Sequence, residues 1–254
     1  VLADIKGKRV LVTGSSTGIG AAVAAGFAAQ GARVVIHYNA SQREAGTVVD
    51  SIVAKGGDAH AIQADISTTA AADTLVGEAV EALGGIDVLI NNAGAMIKRA
   101  PLAEVDDALY DRVLDTNIRS VVMTSKAARP HLRDAGAGVI ITVSSIAARN
   151  GGGPGAGLYA GAKAFVLNFT RNMAKELASD NIRVNGVSPG VIMTPFHERF
   201  SSPEWIETQR KTIPMGRIGT PADAVGVFLF LASNAMSGYV NGQTIELNGG
   251  QYMP

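Results

Sequence analysis

The sequence predicts an α/β fold: one doubly wound parallel sheet with helices on both faces, formed as a single domain over residues 1–254. Three observations carry this. Seven short apolar runs (9–13, 33–38, 59–64, 86–91, 139–143, 182–187 and 244–247) alternate with helical stretches almost without exception. The runs are close to continuously apolar, as strands covered on both faces are. No composition break, fixed-period repeat or linker divides the chain.

Composition narrows the field further. Of 254 residues, 47% are hydrophobic and 17% charged, enough to bury a large core. Lys+Arg and Asp+Glu number 22 each, so there is no general pull toward nucleic acid or an anionic membrane. With no Cys, disulfides, thiolate metal sites and cysteine nucleophiles are excluded. No apolar run approaches the ~20 residues of a membrane span. The opening residues 1–8 are charged and lack the apolar centre of a signal peptide. A cytoplasmic protein with neither a nucleic-acid nor a membrane partner is expected. His37, His60, His131 and His197 show no ligand spacing, so no metal site is expected either.

In chain order, the run 9–13 leads into Gly14-Ser15-Ser16-Thr17-Gly18-Ile19-Gly20, followed by an Ala-rich helix that stops at Gly31. Glycines in such a turn let backbone approach a pyrophosphate, and the helix N-terminus offers free N–H groups and a favourable dipole. The strand 33–38 ends at Tyr38, before the polar turn Asn39-Ala40-Ser41-Gln42-Arg43. The strand 59–64 ends at Asp65, and 86–91 opens into Asn92-Ala93-Gly94. A long helix over about 106–133 carries Asn117 in its interior. The strand 139–143 ends at Ser144-Ser145, before the glycine run 151–157 and a helix bearing Tyr159-x-x-x-Lys163. The strand 182–187 stops at Ser188-Pro189-Gly190. Ligands of parallel sheets bind beyond the strand C-termini, so Gly14, Asp65, Asn91, Ser145 and Pro189 gather along one edge.

Spaced i and i+4 on a helix, Tyr159 and Lys163 share a face. A neighbouring ammonium favours the phenolate, so Lys163 is expected to lower the Tyr159 pKa and fit it for proton transfer near neutral pH. Alone this motif is one that chance supplies readily.

Taken together, Thr13-Gly14-x-x-x-Gly18-Ile19-Gly20, Asn91-Asn92-Ala93-Gly94, Asn117, Ser145, Tyr159-x-x-x-Lys163 and Pro189-Gly190 resemble the short-chain dehydrogenase/reductase family over essentially the whole chain. The resemblance implies a Rossmann-like fold and a nicotinamide dinucleotide across the crevice. It implies Tyr159 as general acid/base, Lys163 as ribose ligand and Ser145 as holder of the substrate oxygen. Asn117 would support a water linking Lys163 to solvent. It places the cofactor against Gly14, Ser16, Thr17, Gly18, Ile19, Gly20, Tyr38, Asn39, Ser41, Asp65, Ile66, Asn92, Ala93, Gly94, Pro189, Gly190, Ile192 and Thr194. Ser145 lies 14 residues before Tyr159 and Ser144 lies 15, where the family usually has 13. An extra residue in Gly151-Gly152-Gly153 accounts for this; Ser145 is preferred and Ser144 stays open.

NADP(H) is expected ahead of NAD(H), because no carboxylate follows Tyr38 to repel a 2′-phosphate, while Asn39, Ser41 and Arg43 offer donors. Thr17, where NADP-preferring members often carry Arg or Lys, argues the other way. The segment 195–215 is expected to be a substrate lid, with Met96, Leu158 and Met193 lining an apolar pocket. Lys98, Arg99, Arg149 and Asn150 are candidates for recognising a polar or anionic substrate. The function expected is interconversion of a small ketone and a secondary alcohol, in a homotetramer or homodimer. A 3-oxoacyl-carrier-protein reductase is the alternative, against which Asp180 and Arg133-Asp134 leave little positive charge for an acidic carrier. A non-catalytic dinucleotide sensor is the alternative of another class.

Overall fold

The computed structural model describes residues 2–254; Val1, at the start of the charged opening stretch, lies outside them. The order of elements is β1 (Arg9–Val12), α1 (Gly18–Ala29), β2 (Arg33–Tyr38), α2 (Gln42–Val53), β3 (Asp58–Gln63), α3 (Thr69–Leu83) and β4 (Val88–Asn91). There follow α4 (Asp107–Leu114), α5 (Ser120–Asp134), β5 (Gly138–Val143), α6 (Ala147–Asn150), α7 (Gly157–Glu176) and β6 (Ile182–Pro189). The chain finishes with α8 (Pro195–Phe200), α9 (Pro203–Thr212), α10 (Pro221–Ala232), α11 (Asn234–Ser237) and β7 (Thr244–Leu247).

The seven strands form one sheet in the order β3-β2-β1-β4-β5-β6-β7, and every pairing is parallel. The period-two alternation of strand side chains sorts the core into two layers. Val10, Val12, Val34, Ile36, Val88 and Ile90 meet α1 and α10 through Val23, Phe27 and Phe228. Leu11, Val35, Leu89, Ile140 and Val184 meet α3, α5 and α7 through Leu75, Leu83, Leu132 and Met173. Phe27 is fully buried, and truncating such a ring to Ala costs about 3–5 kcal/mol. Burial on both faces explains why these strands read as continuous apolar runs.

Chain direction away from β1 reverses between β1 and β4, which opens a crevice at the strand C-termini. The foot of that junction is held by Arg9, whose guanidinium meets Asp87 at 2.8 Å.

The helix expected over 106–133 is interrupted. Between α4 and α5, Asp115–Arg119 form a π-helical turn centred on Asn117. Helical periodicity survives such a one-residue insertion, so the sequence pattern ran through it unbroken.

Candidate active site

The glycine-rich turn is held from below by side chains of neighbouring strands. The His37 ring spans it: the Gly14 N–H donates to Nδ1 at 2.9 Å, and Nε2 contacts the Ala64 carbonyl at 3.0 Å. An amide can only donate and a carbonyl only accept, so the proton sits on Nε2 and the ring is neutral. Burial pushes its pKa below the ordinary value. Ser15 Oγ donates to the Val12 carbonyl at 2.7 Å and accepts the His37 N–H at 3.0 Å. Asn92 Nδ2 donates to the carbonyls of Thr13 and Gly14, both at 2.9 Å. A Cβ on Gly20 would stand 2.5 Å from that Nδ2 and 2.6 Å from the Gly14 oxygen, which is why this position is glycine.

Helix α1 begins without help from side chains. Thr17 caps it by position only, with no side-chain hydrogen bond, and the first turn has no acid. Its leading N–H groups are therefore left for an outside acceptor. A dinucleotide pyrophosphate fits that donor set, beside a cleft of about 950 Å³. All the expected dinucleotide contacts, from the glycine turn through Tyr38–Ser41, Asp65–Ile66 and Asn92–Gly94 to Pro189, Gly190, Ile192 and Thr194, line this one cleft. Thr194 closes against the glycine turn: its Cγ2 would lie 3.2 Å from a Cβ on Gly18. Arg43 has turned away to Glu44 at 3.1 Å and does not line the cleft.

Ser145, Tyr159 and Lys163 meet at the C-terminal end of β5 and line the same cleft. Lys163 is buried and its Nζ donates to the Val143 carbonyl at 3.0 Å. Ser144 is buried too, and its Oγ donates back to the Lys163 carbonyl at 2.8 Å. Strand and helix are thus clamped reciprocally. Ser144 is committed to that clamp, whereas Ser145 Oγ accepts the Ala147 N–H at 3.1 Å and faces Tyr159.

Asn117 is fully buried. Its Nδ2 donates to the carbonyls of Ala95 (2.8 Å) and Val113 (2.9 Å), and its Oδ1 accepts the Ala95 N–H at 3.1 Å. The side chain pairs with Ala95 as a strand backbone would, fixing the loop after β4. Gly94 lies between the groups: a Cβ there would stand 2.7 Å from Lys163 Nζ and 2.8 Å from Asn117 Oδ1.

The expected lowering of the Tyr159 pKa is not what the site produces. Burial pushes the phenol up to about 12, with the Ser145 hydroxyl working against the rise. Burial likewise pushes Lys163 down to about 8. The ammonium lies 5.8 Å from the ring centroid and is bonded to backbone, so desolvation outweighs the charge. Tyr159 is only half-buried in an open cleft, and water there moderates its rise.

On the outer side of the cleft, aromatic rings of α8 and α9 form a wall. Phe196 packs on Tyr159 at 5.7 Å between centroids, His197 meets Phe196 edge-on at 5.2 Å, and Trp205 stacks on His197 at 5.7 Å. Burial first, and the charge of Arg99 second, bring His197 down to about 4, so it stays neutral at physiological pH.

Several expectations for this side are corrected. Met96 lines the cleft, but Leu158 packs into a separate apolar cluster and Met193 points outward, 40% exposed. Arg149 is not free for substrate, because it pairs with Glu246 of β7 at 2.9 Å. Asn150, by contrast, does line the cleft, and its Oδ1 accepts the Gly152 N–H at 2.9 Å, shaping the glycine run. His37 and His197, unremarkable as scattered histidines in the sequence, are both parts of the cleft. No local pattern marks either one.

The fold and the cleft define a class, the nucleotide-binding oxidoreductases built on a parallel sheet. Residues 14–251 match the family model described as Enoyl-(Acyl carrier protein) reductase. The chain belongs to the short-chain dehydrogenase/reductase family and is an enzyme of that type. It is 38% identical over 246 residues to the 3-oxoacyl-[acyl-carrier-protein] reductase of Staphylococcus aureus, covering 97% of this chain and 98% of that one. It is 39% identical over 249 residues to 3beta-hydroxysteroid dehydrogenase 1 of Eggerthella lenta, covering 97% and 94%. The crystal structure of the NADH-dependent reductase A1-R' responsible for alginate metabolism superposes with a TM-score of 0.90 at 43% identity, covering 99% of both chains.

Proposed function

We propose that this enzyme interconverts a small ketone and a secondary alcohol with a nicotinamide dinucleotide, using Tyr159 as general acid/base. The observation that carries this is the meeting of Ser145, Tyr159 and Lys163 at one strand end, in the cleft that also holds the uncapped start of α1. When bound, the dinucleotide supplies the hydride that reduces the carbonyl carbon. Tyr159 delivers the proton to the carbonyl oxygen, and the Ser145 hydroxyl donates a second hydrogen bond to the charge growing there. Lys163, whose ammonium donates to the Val143 carbonyl, would hold the ribose. Asn117 positions the loop that carries Gly94, and support of a relay water belongs to the same reading.

NADP(H) is favoured over NAD(H). Tyr38 ends β2 without a carboxylate after it, and Asn39 and Ser41, which line the cleft there, would offer donors to a 2′-phosphate. The NADH dependence of the alginate-metabolism reductase makes this the point to measure first.

A carrier-protein substrate fits less well. Arg129 pairs with Asp180 at 2.6 Å and Arg133 with Asp134 at 3.2 Å, which lowers the positive charge at these two places for an acidic carrier. The segment 195–215 acts as the lid. The chain assembles into a homotetramer or homodimer through α4, α5 and α7, where Tyr110 and Phe165 stand 47% and 40% exposed. A cytoplasmic location completes the reading.

Titration with NADPH and with NADH ranks the cofactors, and tighter NADH binding overturns the preference given. Turnover with the better cofactor is then compared between simple ketones or keto-sugars and acetoacetyl thioesters. Activity confined to carrier-protein thioesters replaces the ketone reading with the carrier one.

A further inference from the structure

Among the described residues, four cations line the cleft without a carboxylate partner, Arg99, Arg112, Lys163 and Arg199, and Arg99 is the one that bridges its outer wall and its glycine run. Arg99 lies between the outer wall and the glycine run, where its Nε donates to the Phe200 carbonyl at 3.1 Å and its Nη1 to the Pro154 carbonyl at 3.2 Å. Those bonds use two of its five N–H groups. Among the described residues no carboxylate lies within ion-pair distance of it. The chain pairs most of its other arginines: Arg9, Arg33, Arg119, Arg129, Arg149, Arg210 and Arg217 all meet a carboxylate more than one residue away. Arg99 is half-buried and left single in the place where a ligand enters.

The backbone that presents it is strained. Ile97 has φ +64, an outlier for a β-branched residue, and the Lys98 N–H closes a three-residue turn onto the Met96 carbonyl at 2.7 Å. Strain of this kind persists where the surroundings over-determine it, and it gathers at ligand clamps. Ile97, Arg99 and Arg199 line both the main cleft and a shallow depression that continues it outward, where Lys98 joins them. Glu198, the neighbouring acid, lines neither. The charge of Arg99 also reaches into the cleft, since it adds to the fall in the His197 pKa.

We propose that Arg99, supported by Arg199, is an anion-recognition subsite, and that the substrate is an oxo acid whose carboxylate lies at the end remote from the reacting carbonyl. This rests on the reductase reading given above. The separation follows from helix α8. Tyr159 touches its Phe196 turn and Arg99 bonds its Phe200 turn, four residues on and so about 6 Å further along the axis. A carboxylate beside the carbonyl would not reach; one several bonds away would. A guanidinium with free N–H groups suits a planar carboxylate.

The probes are 5-oxohexanoate and its neutral counterpart 5-oxohexanamide. The reductase is expected to prefer the acid in kcat/KM by about 10- to 100-fold, the range of a charge-assisted hydrogen bond. Arg99→Gln keeps a donor for the lid carbonyl and loses the charge. It should bring the acid-to-amide ratio of kcat/KM close to one, a ratio from which any loss common to both substrates cancels. Equal handling of acid and amide by the unaltered enzyme, or an acid preference that survives undiminished in Arg99→Gln, overturns the proposal and makes Arg99 a structural latch. A second readout is independent of turnover. Trp205 is the only tryptophan and stacks beside the cleft, so its fluorescence reports occupancy in the presence of saturating NADP⁺. Quenching by 5-oxohexanoate at lower concentration than by the amide, lost in Arg99→Gln, supports the subsite even if no ketone is reduced. Stronger displacement by inorganic phosphate than by acetate overturns the carboxylate assignment. Absence of nicotinamide oxidation with every ketone, alongside charge-dependent quenching, counts against the reductase reading alone.

Discussion

On the inner wall of the cleft, the glycine-rich turn is tied to three different strand ends by Thr13, Ser15, His37 and Asn92, through side chains whose polar atoms are almost all spent on backbone. On the outer wall, α8 and α9 bury no residue at all and are held by stacked rings, by Arg99 and by the Gln251 amide reaching Gln209 and Thr212. The contrast teaches where preorganisation is needed. A pyrophosphate is the same in every catalytic cycle, so its cradle is built rigid. Relatives are named for substrates as unlike as a carrier-protein thioester and a hydroxysteroid, and the lid proposed above puts that variety on the wall that buries no residue.

The largest expected effect comes from a change that spares both walls. Tyr159→Phe removes the proton donor and should lower kcat by about 10²–10⁴-fold while dinucleotide affinity holds. Turnover within tenfold of the unaltered enzyme would remove Tyr159 from its role. Breaking the rigid wall comes next. Gly20→Ala drives a methyl into Asn92 and the Gly14 carbonyl and should cost about 1–3 kcal/mol of stability, read by thermal unfolding, together with most dinucleotide binding. Trp205→Ala on the outer wall sharpens the contrast: KM for substrate should rise several-fold with dinucleotide affinity unchanged. If it weakened the dinucleotide as Gly20→Ala does, the two walls would not be separable.

The smallest effect is a dependence on pH. His37 has a folded pKa below its ordinary 6.5, so the unfolded chain takes up the proton first as pH falls. Its neutral ring therefore adds stability above about pH 6.5 that is lost progressively below it. His197, lowered to about 4, acts in the same direction. Melting temperature should drop between pH 7.5 and 5.5, and His37→Gln should reduce that drop. An undiminished drop in the variant would assign the effect elsewhere.

Much of this was legible in the sequence because it is local. Each of the seven strands was marked by its own apolar run, and Tyr159 and Lys163 by helical spacing. What was not legible depends on partners far along the chain. Arg149 reads as a free cation until Glu246 of β7 is brought beside it. His37 reads as one more strand residue until Gly14 and Ala64 close on its two nitrogens. The balance of burial and charge at Tyr159 is also a property of the packed site, since spacing fixes a neighbour and says nothing of how dry the neighbourhood is. The π-helical turn at Asn117 escaped because an inserted residue leaves the apolar rhythm on either side intact.

The reciprocal clamp between β5 and α7 bears on the spacing of Ser145 and Tyr159, one residue longer than the family resemblance implies. Ser144 and Lys163 lock strand to helix directly, so the connection between them is slack thread outside a fastened seam. Gly151 and Gly152 turn through positive φ, and Gly152 and Gly153 line the cleft. The glycine run is thus a place where length can vary while the seam beside it stays fastened. It is where this scaffold can accept new sequence against the mouth of the cleft without unfastening the helix of Tyr159 from the strand that ends at Ser145.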